Sequence, residues 1–284
     1  MATFTNQATL TYAGNVTTSN VVTGELQQTI SVTKYAVGDS YTAEDVLTYV
    51  VSLVNSGGTA LTDLTVTDNL GAYTLGTNTL VPLEYVDGSL TYYVGGARQA
   101  TPVITDTTPL TVAGISIPAG GNAFLVYQAR VNEFAPPASG GTITNTATVT
   151  GVGLPAPITA SETVSAAGEP FLTVGKTLSP TTVSEGDRLT YTFVIQNFGN
   201  TPVVATDDAT ITDTFDPILS DLVVTFNGAT WTEGAEYTYD ETAGLFATVP
   251  GNIQVPAATY TQNPATGAWT VMPGVSTLVV TGTV

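Results

Sequence analysis

Ile30-Ser-Val-Thr-Lys34 returns 142 residues further on (34 to 176) as Leu172-Thr-Val-Gly-Lys176, in a chain of 284 residues. The repeat length is half the chain length, so the sequence reads as two copies of one unit. Thirteen residues after each lysine comes the same phrase, Leu47-Thr-Tyr49 and Leu189-Thr-Tyr191. Each opens an alternating apolar–polar run that ends in Asn55 or Asn197 and meets a Gly-containing turn. That pattern predicts a strand followed by a hairpin in an antiparallel sheet. Leu64-Thr-Val-Thr-Asp68 follows, matched by Ala209-Thr-Ile-Thr-Asp213.

A third landmark is displaced. Ile143-Thr-Asn145-Thr-Ala-Thr-Val-Thr150 closes the first copy, and its match, Phe4-Thr-Asn6-Gln-Ala-Thr-Leu-Thr11, stands at the start of the chain. Phe124-Leu-Val-Tyr-Gln-Ala-Arg-Val131 precedes the Asn145 strand across a Pro/Gly-rich loop. Its counterpart, Thr277-Leu-Val-Val-Thr-Gly-Thr-Val284, is the last segment of the sequence. A β-sandwich without its closing strands exposes an apolar cleft and unpaired backbone groups. Residues 143–170 close the first copy and run directly into the second. By the same logic residues 4–28 should close a domain that precedes the first, and that domain belongs to another copy of the chain. Strand addition of this kind is a known recognition mode, and a head-to-tail interface that does not close gives a filament. The competing expectation folds the N-terminal strands back onto their own second domain or along an edge of the first.

The expected architecture is therefore all-β: two tandem immunoglobulin-like β-sandwiches plus an N-terminal donor segment. The boundaries read as 1–28 for the donor strands, 29–165 for the first sandwich and 166–284 for an incomplete second one. Composition agrees with strand. Thr, Val and Tyr recur and helix-forming runs are missing. There is no His and no Cys, which removes thiol nucleophiles, disulfides, imidazole bases and the usual zinc sites. The formal net charge is −18 with five basic residues, Lys34, Arg98, Arg130, Lys176 and Arg188, so nucleic acid is not an expected partner. No cofactor is expected. The acidic pairs Asp207–Asp208 and Asp213–Asp216 are too generic to argue for calcium without an EF-hand loop. No apolar run reaches the ~18–20 residues of a membrane span. Met1-Ala-Thr-Phe-Thr-Asn-Gln7 has no basic segment leading into an apolar core, so no secretory signal is read there.

The landmarks resemble a bacterial surface-repeat family known as domain of unknown function eleven. The matching residues are Val32-Thr-Lys34, Thr48-Tyr49 to Asn55, Val66-Thr-Asp68 and Thr144-Asn145-Thr-Ala147-Thr-Val149. The second copy has Lys176, Thr190-Tyr191 to Asn197 and Ile211-Thr-Asp213, with Asn6, Ala8 and Leu10 at the chain start. The permuted break is also similar to subunits of ribbon- or hair-like appendages on clostridial spores, whose material is made inside the mother cell and needs no signal peptide. This family in turn resembles immunoglobulin-like surface domains that form Lys–Asn isopeptide bonds with a carboxylic acid as catalyst. That chemistry asks for a lysine made nucleophilic by burial, an acid that polarises the amide, and packing that holds the three together. The resemblance implies Lys34 joined to Asn145 with Asp68 as acid inside domain one. For domain two it implies Lys176 joined to Asn6 of an adjacent subunit, with Asp213 as acid.

Plainer roles compete for the same residues. Asp68 and Asp213 also fit turn caps at strand ends. Asn145 and Asn6 fit hydrogen-bonded edge positions, and the lysines fit gatekeepers against edge pairing. Glu44, Asp45, Glu185 and Asp187, in matching loops, are alternative acids. The expected function is a structural subunit of an extracellular or spore-surface fibre, its partner another copy of itself, assembled by donation of residues 4–24. It is not a conventional enzyme; at most it catalyses its own crosslinking. The alternative is a monomeric surface adhesin or carbohydrate-binding module, for which Trp231, Tyr237, Tyr239, Tyr260 and Trp269 would form the platform.

Overall fold

The computed structural model describes residues 2–26 and 29–284. It is all-β; among the described residues the one helical turn is a 3-10 segment at Ala205–Asp207, and no helix is long and apolar enough to cross a membrane. The chain divides into two compact units, residues 1–136 with 141–165, and residues 137–140 with 166–284.

The chain opens with β1 (Ala2–Asn6), β2 (Thr9–Tyr12), β3 (Asn15–Thr18) and β4 (Val22–Leu26). β1 pairs with β4 and β2 with β3, forming one long antiparallel hairpin turning at Ala13-Gly14. It shares no ladder with any other described strand.

The first sandwich runs β5 (Ile30–Val37), β6 (Ser40–Tyr41), β7 (Val46–Asn55) and β8 (Leu61–Asp68). Shorter strands follow: β9 (Tyr73–Leu75), β10 (Asn78–Leu80), β11 (Leu83–Tyr85), β12 (Thr91–Val94) and β13 (Ala97–Arg98). It ends with β14 (Val103–Thr107), β15 (Leu110–Ile117), β16 (Asn122–Val131), β17 (Thr142–Thr150) and β18 (Ile158–Ala166). One sheet has the order β13-β12-β16-β7-β5 and the other β14-β15-β8-β17-β18-β6. Period-two alternation builds the core between them. Tyr49, Val51 and Leu53 of β7, Leu125 and Tyr127 of β16, and Leu64 and Val66 of β8 are all buried.

The expected hairpin after Asn55 is not one. β7 and β8 lie in different sheets, so the chain crosses the sandwich there. The Asn55 amide holds that corner, donating to the carbonyls of Thr59 (2.8 Å) and Pro118 (3.0 Å) and accepting from Gly57 N–H (3.0 Å). Buried backbone groups at the crossing would otherwise lack partners. Asn197 repeats the device on Thr201, Pro256 and Gly199.

The second sandwich comprises β19 (Leu172–Ser179), β20 (Arg188–Asn197), β21 (Thr212–Thr214), β22 (Ser220–Phe226), β23 (Ala229–Trp231) and β24 (Tyr237–Asp240). It is completed by β25 (Leu245–Thr248), β26 (Thr259–Gln262), β27 (Trp269–Met272) and β28 (Gly274–Thr283). The order β19-β20-β28-β22-β23 repeats the β5-side sheet. The opposite sheet is β21-β25-β24, with β21 at its edge. β8, the counterpart of β21, is flanked by β15 on one side and β17 on the other.

Candidate crosslinking site

β5 and β8 belong to opposite sheets, and their inward residues meet in the core. Lys34 sits mid-strand on β5 with a side chain 0% exposed, and its Nζ donates to Oδ2 of Asp68, 2% exposed, at the end of β8. Nζ also lies over the Tyr49 ring, 4.9 Å from its centre. Burial pulls the Lys34 ammonium down from 10.5 to about 8, against the pull of Asp68 in the other direction. Burial thus favours the neutral amine, the form that acts as a nucleophile.

Asp68 has two jobs. Oδ1 accepts from Leu70 N–H at 3.1 Å, which is the turn-capping role, while Oδ2 takes Lys34 and the hydroxyl of Tyr127 at 2.7 Å. Asn145 on β17 is fully buried, not an edge residue. Its Nδ2 donates to Tyr127 Oη at 3.1 Å, and its Oδ1 accepts from Gly71 N–H at 3.2 Å. Gly71 must be glycine: its φ is +74°, and a Cβ would stand 2.5 Å from Ile143 of β17. Burial drives the Tyr127 phenol well above its ordinary range, with the charge of Asp68 adding to the effect, so it stays protonated. Lys34 and Asp68 thus touch directly, and Asn145 joins them through Tyr127.

The second unit holds the matching pair in the open. Lys176 Nζ donates to Asp213 Oδ2, but the side chains are 38% and 18% exposed. Nζ is 4.3 Å from the centre of the Tyr191 ring, which stacks on Phe215. No asparagine of this unit is bonded to the pair among the described residues. β19 is exposed along its whole length, whereas Ile30 and Lys34 at the matching β5 positions are buried.

Asn6 lies on β1. The β1–β4 ladder carrying it repeats the β17–β18 register: Asn145 faces Glu162 and Ile143 faces Val164, as Asn6 faces Val22 and Phe4 faces Gly24, while the β2–β3 ladder is shifted by one residue. On β17 the alternate residues Ile143, Asn145, Ala147 and Val149 are buried at 0–1% exposure. Their counterparts Phe4 and Leu10 are 56% and 61% exposed.

Two of the four alternative acids have local roles. Asp45 and Asp187 cap turns through Thr42 N–H and Ser184 N–H. Tyr237 belongs to the second core, with Trp231 and Tyr239 packed against it. The residues the sequence reading passed over are Tyr127 and Gly71. Tyr127 was visible as a difference between copies: it faces Tyr49 across the β7–β16 ladder, and Val280 faces Tyr191 in the second.

No protein-family model and no curated protein matches the chain. Among solved structures it is similar to the major pilin subunit of Bacillus cereus, at 14% identity and a TM-score of 0.35 over 96% of this chain and 73% of that one. A 35 kDa C-terminal fragment of the major pilin of Streptococcus agalactiae overlaps at 11% identity and a TM-score of 0.36, over 86% and 91% of the two chains. The collagen-binding domain of a Staphylococcus aureus adhesin covers 49% of this chain and 99% of its own, at 12% identity and a TM-score of 0.30. Overlap at this level does not say what the chain binds or builds.

Proposed function

We propose that this protein is the structural subunit of a surface fibre, of a cell or a spore, in which residues 4–24 of one copy complete the second sandwich of the next. The observation that carries this reading is a matched pair of defects. Among the described residues, a hairpin that shares no ladder with another strand repeats the β17–β18 register over β1 and β4, and the β21 edge stands where β17 would lie. Docking in the β17 register sets Ala8 against Asp213, Thr9 against Thr212 and Leu10 against Ile211, as Ala147, Thr148 and Val149 pair with Asp68, Thr67 and Val66. Burying Phe4 and Leu10 contributes about 1.5–3 kcal/mol each, beside a new backbone ladder. It also brings Asn6 to the exposed Lys176–Asp213 pair.

The same reading assigns crosslinks. Lys34 attacks the Asn145 amide with Asp68 as acid, tying β5 to β17 within a subunit. Lys176 attacks Asn6 of the neighbour with Asp213 as acid. The fibre is then covalent along its length, and the partner is another copy of this chain.

The test is removal of residues 1–26 from the full chain, followed by light scattering and negative-stain imaging. The truncated chain should stay monomeric while the intact chain forms filaments. Filaments from the truncated chain would end the proposal.

A further inference from the structure

The Asn145 leaving nitrogen is bonded neither to Lys34 nor to Asp68; it donates to the phenol of Tyr127, and the Tyr49 phenol also interacts with the Asn145 amide. Resting on the crosslinking reading above, we propose that Tyr127 is a catalytic residue of the Lys34–Asn145 reaction, the relay that carries a proton from Asp68 to the departing ammonia.

Three observations support it. The hydrogen bonds form an unbroken line: Asn145 Nδ2 to Tyr127 Oη at 3.1 Å, and Tyr127 Oη to Asp68 Oδ2 at 2.7 Å, the oxygen that also receives Lys34 Nζ. Every side chain in the line is buried, so water is not available to do the same work. The hydroxyl is not part of the fold's repeat, since Val280 fills its register position in the second unit. A packing role alone is filled there without an oxygen.

The step balances. One proton passes from Lys34 Nζ to Asp68, leaving a neutral amine and a neutral carboxyl. The amine lone pair attacks Asn145 Cγ and forms the new C–N bond. Charge collects on Oδ1, which accepts from Gly71 N–H, a donor shared with Asn69 Oδ1. The Cγ–Nδ2 bond breaks as the Tyr127 proton moves to Nδ2 and the Asp68 proton replaces it on the phenol. The surplus proton on the attacking nitrogen returns to Asp68. One amide and one ammonia result, with no net change of charge and no outside reagent. During the step the two hydrogen bonds along the line reverse direction.

The experiment uses the full-length chain made by cell-free synthesis, quenched in acid at intervals and weighed intact. The wild-type chain should become lighter by about 17 Da for each bond formed. Tyr127→Phe should slow the loss from the first unit by roughly 100-fold or more, the usual scale for a lost general acid–base group. If the wild-type chain loses no mass, crosslinking itself is overturned, and the relay with it. If it loses mass and Tyr127→Phe keeps pace, the relay alone is overturned. Should Tyr127→Phe fail to fold by circular dichroism, 3,5-difluorotyrosine at position 127 keeps the hydroxyl and makes it more acidic. A relay then shows a changed rate and a displaced pH profile; an unchanged profile contradicts it.

Discussion

Lys34 and Lys176 are one residue in two copies of a sequence unit, held in different surroundings. The first is sealed in the core with Asp68, and the second shares its carboxylate with solvent. Two measurements follow from the sealed one. Lys34→Met leaves Asp68 buried without its cation, and Lys34→Met with Asp68→Leu removes both charges. Neither can crosslink, so the comparison isolates the charge, and the double variant should be more stable by about 3–5 kcal/mol in urea unfolding of the first unit. In Asn145→Ala the amine stays free. Its folded pKa, about 8, lies below the unfolded value of 10.5. The unfolded chain therefore binds more protons between those values, and stability rises with pH from 8 to about 10, by up to about 1.4 kcal/mol per unit. In the crosslinked chain the nitrogen is an amide and that slope should vanish. The lysines, aspartates and asparagines were legible because they recur at fixed offsets. Tyr127 was legible only as a difference between the copies, Val280 standing at its register position in the second, and a difference alone does not say that the hydroxyl is used.

At the scale of the element, the β1–β4 ladder keeps the β17–β18 register with some facing pairs exchanged. Ile143 facing Val164 becomes Phe4 facing Gly24, and the Phe4 ring lies over the glycine, so that a Cβ there would sit 2.3 Å from it. The larger ring on one strand is met by the loss of a side chain on the other. Gly24→Val should therefore overpack the docked hairpin by about 1–3 kcal/mol and raise the concentration at which filaments form about tenfold or more. Phe4→Ile added to it should restore assembly, and sedimentation of the two variants checks both. The strand phrases themselves were readable from alternation and spacing. The connection after Asn55 was not: a short Gly-containing link looks the same whether the chain turns back within a sheet or crosses to the other. The choice is made by a buried Asn whose partners, Pro118 and Ile117, come from about sixty residues away.

At the scale of the molecule, the proposed fibre requires a chain of net charge −18 to approach copies of itself. Like-charge repulsion opposes docking and is screened within about 8–10 Å at physiological salt. Assembly should therefore speed up between 10 and about 150 mM salt, readable as light-scattering onset; a slowing would point to ion pairs as the driving contacts instead. The order of the landmarks conveyed the permutation, but a sequence cannot show whether a displaced strand has been taken up by its own chain. The free hairpin and the bare β21 edge pose that question physically. The absence of cysteine makes the most direct measurement a clean one: mix Thr9→Cys chains with Thr212→Cys chains and oxidise. The account predicts a disulfide between the two different chains, with Thr11→Cys, two residues out of register, giving little. No Thr9–Thr212 bond between chains, or a Thr9→Cys/Thr212→Cys double variant that closes only within a monomer, would contradict it.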